Sequence, residues 1–219
     1  MNKMKQIKHH LTEPLLMGYA AGTLPEAFNL VVASHITMCD DCRAALAEYD
    51  AVGGEVMLDS VPVTVAEDAL TATMAMIERG VGADKPPPVR AQNSIFPGPL
   101  QDYVSSDLDS LKWRKVGGGV SQLVLKTSDD ASVRLLRIPA GTKVPDHGHR
   151  GTELTLVLQG AFTDEQERFR TGDVEVANED MNHTPIAEAG MDCICLAATD
   201  APLRFNGIVP RLVQRFIGI

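Results

Sequence analysis

Gly141 to Gly160 reads GTKVPDHGHRGTELTLVLQG. Three side chains of metal-ligating type, His147, His149 and Glu153, share one parity along this stretch, and Leu154, Leu156 and Leu158 take the other. Successive side chains of an extended strand point to opposite faces. The stretch therefore predicts strand structure with a metal-type face and an apolar face, and the Arg150-Gly151 step is a candidate bulge that disturbs the alternation without abolishing it.

The surroundings repeat the strand signal. QLVLKTSDDASVRLLRIPAGTKVP, GDVEVAN, CICLAA and LVQRFIGI are short apolar runs broken by Gly, Pro and Asp, the pattern of a β-sandwich or barrel. Residues 100–219 are accordingly read as one all-β unit. Cys193 and Cys195 lie two apart and should face the same side of a strand near the metal-type residues. They serve either as two small buried hydrophobes or as a redox pair.

Upstream, GVGADKPPPVRAQNSIFPGP from Gly80 to Pro99 reads as a linker, stiffest at Pro86 to Pro88. Its core, residues 86–99, is expected to hold two halves apart at a modest distance. Before it, residues 1–85 carry helical signals. Thr12 and Pro14 can open a first helix with Leu15, Leu16, Tyr19 and Ala20 on its apolar face, and Gly22 can end it. A second should run from Pro25 to about Met38 and a third from Asp40 or Asp41 through Leu46, Tyr49 and Val52. The fourth is expected over 65–79, with Leu70, Met74 and Ile77 as a buried stripe. The architecture expected is two domains, a four-helix α unit and a β barrel.

The helical half contains SHITMCDDCR, Ser34 to Arg43, with His35, Cys39 and Cys42 at His-x3-Cys-x2-Cys spacing. Four residues apart, His35 and Cys39 share one helix face, and Cys42 follows a helix corner. A structural zinc takes four ligands, so the set lacks one, which His9 or His10 can supply. About 85 residues with few aromatics make a thin core, while a structural zinc contributes roughly 10 to 16 kcal/mol of folding free energy. A filled Cys2His2 shell leaves no position for substrate, so this centre is read as structural or redox-sensing rather than catalytic.

Composition narrows the function. The 219 residues hold 20 Lys+Arg against 29 Asp+Glu, a net charge of -9 that argues against a grip on nucleic-acid phosphates. Residues 1–85 hold 6 Lys+Arg against 12 Asp+Glu, a net of -6 that suits a basic protein partner. The four cysteines form two close pairs rather than a dispersed disulfide framework, which fits a reducing compartment. Lys3, Lys5 and Lys8 precede the apolar run Leu15 to Ala21, but Thr12, Glu13 and Pro14 interrupt any signal peptide, and no run approaches the roughly 20 apolar residues of a membrane span. A cytoplasmic protein without membrane contact is expected.

Two resemblances sharpen this reading. Gly141 to Gly160 resembles the first cupin motif, Gly-x5-His-x-His-x3-Glu-x6-Gly, at every fixed position. The second cupin motif is matched at Gly172 and His183, while Asn178, Asp180 and Ala187 stand where Pro, Gly and Asn are usual. The resemblance implies a double-stranded β-helix with His147, His149, Glu153 and His183 around a divalent ion. His10, His35, Cys39 and Cys42, on short helices opening with HHLTEPLLMGYAAGTL, resemble the zinc-binding anti-sigma domain. Together the halves look like a ChrR-type anti-sigma factor. That family implies His10 rather than His9 as the fourth zinc ligand and zinc in the cupin set, where iron or manganese are alternatives. It also implies an extracytoplasmic-function (ECF) sigma factor held by the helical half and released under singlet-oxygen-like oxidative stress sensed by the cupin half, with no catalytic activity. A cupin-mediated homodimer is a further expectation. The competing reading is a cupin metalloenzyme, a dioxygenase or isomerase, in which the zinc domain only aids assembly.

Overall fold

The computed structural model describes residues 7–80, 91, 94–104, 107–202 and 204–205. The proline run Pro86 to Pro88, the expected strand in LVQRFIGI, and Lys3 and Lys5 lie outside them. Among the described residues no helix is long and apolar enough to cross a membrane.

Four helices precede the gap, α1 Glu13–Ala20, α2 Glu26–Ile36, α3 Asp40–Leu58 and α4 Ala69–Glu78. Thr12 occupies the cap position of α1 and its carbonyl accepts from the amides of Leu15 and Leu16, although its side chain makes no capping bond. Gly22, at φ 66°, ends the helix in the left-handed conformation that glycine adopts without penalty. α2 is buried along most of its length, through Ala27, Phe28, Leu30, Val31, Val32, Ser34 and His35.

α4 departs from expectation. Leu70, Met74 and Ile77 form the periodic stripe, but they are 75%, 50% and 63% exposed, so nothing among the described residues covers the face that was expected to be buried. Periodicity reports that a helix has an apolar face and leaves open which molecule covers it.

After the short helix α5 Gly98–Gln101 and a 3-10 turn at Leu108–Ser110, the regular elements are β strands. The strands are β1 Arg114–Gly117, β2 Val120–Leu125, β3 Ser132–Ile138, β4 His147–Gly148, β5 Glu153–Gln159 and β6 Ala161–Thr163. They continue as β7 Arg168–Arg170, β8 Val174–Ala177, β9 Asn182–His183, β10 Ile186–Ala187, β11 Cys193–Thr199 and β12 Arg204–Phe205. A six-stranded antiparallel sheet runs β1-β2-β3-β11-β5-β8, with two three-stranded sheets ordered β10-β6-β7 and β12-β4-β9. The quoted Gly141–Gly160 stretch is split between sheets: β4 pairs with β9 and β12, and β5 with β11 and β8. The break falls at the expected place. A Cβ on Gly151 would sit 2.0 Å from an Asp200 carboxylate oxygen, the same oxygen that accepts from the Thr152 amide at 2.9 Å. Gly160, at φ 75°, closes the β5–β6 turn, where a Cβ would lie 2.9 Å from the Asp192 carbonyl.

The two halves are not held apart. A single core contains Phe28, Leu30, Val31 and Val32 of α2 together with Leu135 of β3, Leu154, Leu156 and Leu158 of β5, and Ile194 and Leu196 of β11. Phe96 and Leu100, just before the β half, are buried in the same core. A second cluster on the opposite face of the large sheet contains Val157, Phe162, Phe169, Cys193 and Cys195. The leucine parity of β5 thus points outward from the β half, and the helices are what cover it. An outward apolar sheet face must be buried against another layer, and a proline-rich connection does not prevent its own chain from supplying that layer. Glu26 adds polar ties at the start of α2, accepting from the Tyr103 hydroxyl and the Ser128 amide, both at 2.7 Å.

Candidate metal centres

Three segments build the first cluster. The chain before α1 brings His10, the last turn of α2 brings His35, and the α2–α3 corner brings Cys39 and Cys42. Ligating atoms of all four lie within 4.8 Å of one another. His10 Nδ1 is 3.2 Å from Cys39 Sγ and 3.6 Å from Cys42 Sγ, and His35 Nε2 is 3.2 Å from Cys42 Sγ. Zinc–ligand lengths of about 2.0 to 2.3 Å in a tetrahedron give edges of roughly 3.3 to 3.8 Å, so the donor set fits zinc. Cys39 also caps α3, where its sulfur accepts from the Cys42 amide at 3.4 Å, and a helix N-terminus favours a negatively charged group. Burial lowers the pKa of His35 to about 4, so its imidazole is neutral and available as a ligand. Burial also pushes the Cys42 thiol up to about 11, so a cation must displace its proton.

His9 and His10 part company. The His9 ring packs on Phe169, with centroids 4.4 Å apart, and its Nε2 is 3.2 Å from the Arg168 carbonyl, while His10 faces the sulfurs.

The second cluster joins His147 of β4, His149 just after it, and His183 of β9, which pairs directly with His147. The Nε2 atom of His183 is 3.2 Å from that of His147 and 3.3 Å from that of His149. His147 Nδ1 donates to the Pro145 carbonyl at 2.8 Å, which leaves its Nε2 lone pair turned inward. Converging lone pairs repel unless a cation sits among them, and tetrahedral zinc–imidazole lengths place nitrogens roughly 3.3 to 3.4 Å apart. The three nitrogens fit a divalent ion. Burial lowers both His147 and His149 to about 4. His183 moves the other way, to about 9, because Glu175 and Asp164 outweigh its own burial. The two carboxylates thus favour positive charge at this ring.

Glu153, expected in this set, stands beside it. One carboxylate oxygen is 3.9 Å from His149 Nδ1 and the other accepts from the Thr155 hydroxyl at 3.2 Å. Burial, then Glu175, raises its pKa to about 7.

Asp164 and Glu175 escaped the sequence reading. His183 Nδ1 lies 3.0 Å from a Glu175 oxygen and 3.3 Å from an Asp164 oxygen, so two buried carboxylates hold the outer side of its ring. A signal existed for Glu175, a lone acid between Val174 and Val176 in an apolar strand. Asp164 lies in the β6–β7 turn with no comparable mark. Cys193 and Cys195 face the same side, with sulfurs 3.5 Å apart. The Cys195 thiol is raised by its hydrogen bond to Cys193 and by burial, which disfavours a reactive thiolate.

Residues 101–201 match the family model described as the ChrR cupin-like domain. The anti-sigma-E factor ChrR of Cereibacter sphaeroides is 54% identical over 213 residues, covering 97% of this chain and 99% of that protein. A chain in the crystal structure of Rhodobacter sphaeroides SigE in complex with the anti-sigma ChrR superposes with a TM-score of 0.79 at 52% identity, covering 89% of this chain and all of that one. A helical half with a Cys2His2 cluster and a cupin-like half with a three-histidine cluster, matched end to end at this identity, place the chain in the ChrR family of anti-sigma factors.

Proposed function

We propose that this chain sequesters an ECF-type sigma factor through its helical half and that its cupin half governs release under oxidative stress. The observation that carries the reading is the end-to-end likeness to an anti-sigma factor and to a chain solved with SigE. The uncovered apolar residues support it. Val52, Val56, Met57 and Leu58 on α3 and Leu70, Met74 and Ile77 on α4 are all at least half exposed, more apolar surface than a lone soluble helix pair carries without a partner. In this reading residues 1–85 are the sigma-binding domain, 86–99 the connection and 100–219 the sensor, whose sheets close into a double-stranded β-helix.

His10, His35, Cys39 and Cys42 hold zinc as a closed structural centre that fixes the helices. His147, His149 and His183 hold a second divalent ion, zinc before iron or manganese, with Glu153 completing the shell by a small rotation toward it. With Glu153 turned away, three histidines leave a coordination position open, and an exchangeable fourth ligand suits sensing.

Co-expression of the full chain with its sigma factor tests the reading. Met74→Asp combined with Ile77→Asp should abolish the complex while leaving thermal stability and zinc content unchanged, because both side chains face solvent in the free protein. Retention of the complex by the double variant would remove α4 from the interface, and failure of the unaltered chain to form a complex would sink the reading.

A further inference from the structure

Four consecutive residues, Gly172 to Glu175, touch both metal clusters. The Gly172 carbonyl accepts from His35 Nδ1 at 3.0 Å, the outer nitrogen of a first-cluster imidazole. The Asp173 carboxylate, 1% exposed, accepts from the amides of Lys8 at 2.7 Å and His9 at 3.1 Å, and its other oxygen from the Arg170 amide at 2.8 Å. The Val174 amide donates to the His9 carbonyl at 3.2 Å. His9 is thus held at both ends of its backbone immediately before His10, which faces the sulfurs. The carboxylate of Glu175 then meets His183 Nδ1 in the second cluster. Gly172 sits at φ 96° with Ile7 packed against it, 2.7 Å from where a Cβ would be.

We propose that residues 172–175 are a positioning element shared by the two centres, through which the state of the cupin centre sets the metal affinity of the anti-sigma centre. The proposal rests on the reading that both clusters hold metal. A ligating histidine depends on the acceptor at its other nitrogen for orientation and basicity, and removing such a partner costs about 10 to 100-fold in metal affinity. Here Gly172 is that partner for His35, while His183 Nδ1 has Asp164 as its hydrogen-bond acceptor and the Glu175 carboxylate against it at 3.0 Å, so Gly172 and Glu175 face the two centres three residues apart on one turn and strand. Asp173 between them sets the approach of His10. A shift of β8 that follows loss of the ion at His183 therefore moves acceptors at the first centre, and by linkage the coupling works in both directions.

The test uses the full-length chain loaded with cobalt, whose thiolate absorption band reports only the Cys39/Cys42 centre because the other cluster offers no cysteine ligand. Asp173→Ala should weaken cobalt at that centre by about 10 to 100-fold. Asp173→Asn, which keeps one acceptor oxygen, should recover part of the loss. His183→Ala, in the second centre and joined to the element through Glu175, should weaken it several-fold, and its effect should shrink in the Asp173→Ala background, since coupled sites are non-additive. Glu175→Gln keeps the side-chain shape and approaches the element from the second centre, so it serves if Asp173→Ala does not fold, and it should also weaken the thiolate band. Unchanged cobalt affinity in Asp173→Ala or Glu175→Gln, or effects of Asp173→Ala and His183→Ala that simply multiply, would overturn the shared element. An unaltered chain with no thiolate band would instead sink the metal reading itself.

Discussion

Cys42 and His183 show how individual residues prepare each centre for metal and what competes with it. Burial holds a proton on Cys42 up to about pH 11, and Glu175 and Asp164 hold one on His183 up to about pH 9. Both pKa values are raised, so at neutral pH both groups carry the proton that an incoming ion must displace. His35, His147 and His149, lowered to about 4 by burial, have none to lose above that pH. Metal affinity should therefore rise with pH at both centres, about tenfold per unit for each proton displaced, and fall on acidification from pH 8 to 6. Competition with a chromophoric chelator across that range measures it, and a flat profile would mean that these protons are already lost in the metal-free protein. Legibility at this scale followed chemistry carried in short spacing. His-x3-Cys-x2-Cys and His-x-His could be read because their residues are neighbours in sequence. The carboxylates around His183 come from β8 and the β6–β7 turn, and their role exists only once the strands have paired.

The strands and helices show the same division between local and distant information. The start of α1 at Thr12 and Pro14, its end at Gly22, and the break at Arg150-Gly151 are local chemistry and appear where the residues imply them. The covering of each apolar face is not local. The leucines of β5 lie against α2, whereas Leu70, Met74 and Ile77, with an equally regular spacing, lie in solvent. One clue was available, because β11, CICLAAT, is buried at six consecutive positions and has no polar alternation, as expected of a strand covered on both sides. α2 is the element that supplies one of those covers. Phe28 lies 5% exposed between the helices and the sheet, and Phe28→Ala should cost about 3 to 5 kcal/mol of stability. Chemical denaturation of the zinc-loaded protein reads this directly. A loss below 1 kcal/mol would mean that the helix–sheet seam contributes little.

For the whole molecule, the shared core decides whether sensing and sequestration occur in separate bodies or in one. Domains that could fold alone usually meet at modest, polar interfaces and move relative to each other. Here α2 is built into the outer face of the sheet, the backbone of Lys8 and His9 is bonded to Asp173, and Glu26 bridges to Tyr103 and Ser128. Separating the halves would expose Leu154, Leu156 and Leu196 together with Phe28, Val31 and Val32, and would strip His35 of its Gly172 acceptor. Unfolding should therefore be a single cooperative event. The single tryptophan, Trp113, packs against the shared core at the start of the β half, so its fluorescence follows that half, while far-ultraviolet circular dichroism is weighted toward the helices. The two signals should trace superimposable denaturation curves in the metal-loaded protein. Chelation should shift both together, because an ion held among His10, His35, Cys39 and Cys42 would tie the start of the chain to the corner of α3 and so hold the surface on which the sheet is seated. Curves that separate, with the helical signal lost first, would show that the helical half lets go independently, and release of a bound partner would then need no change in the β half at all.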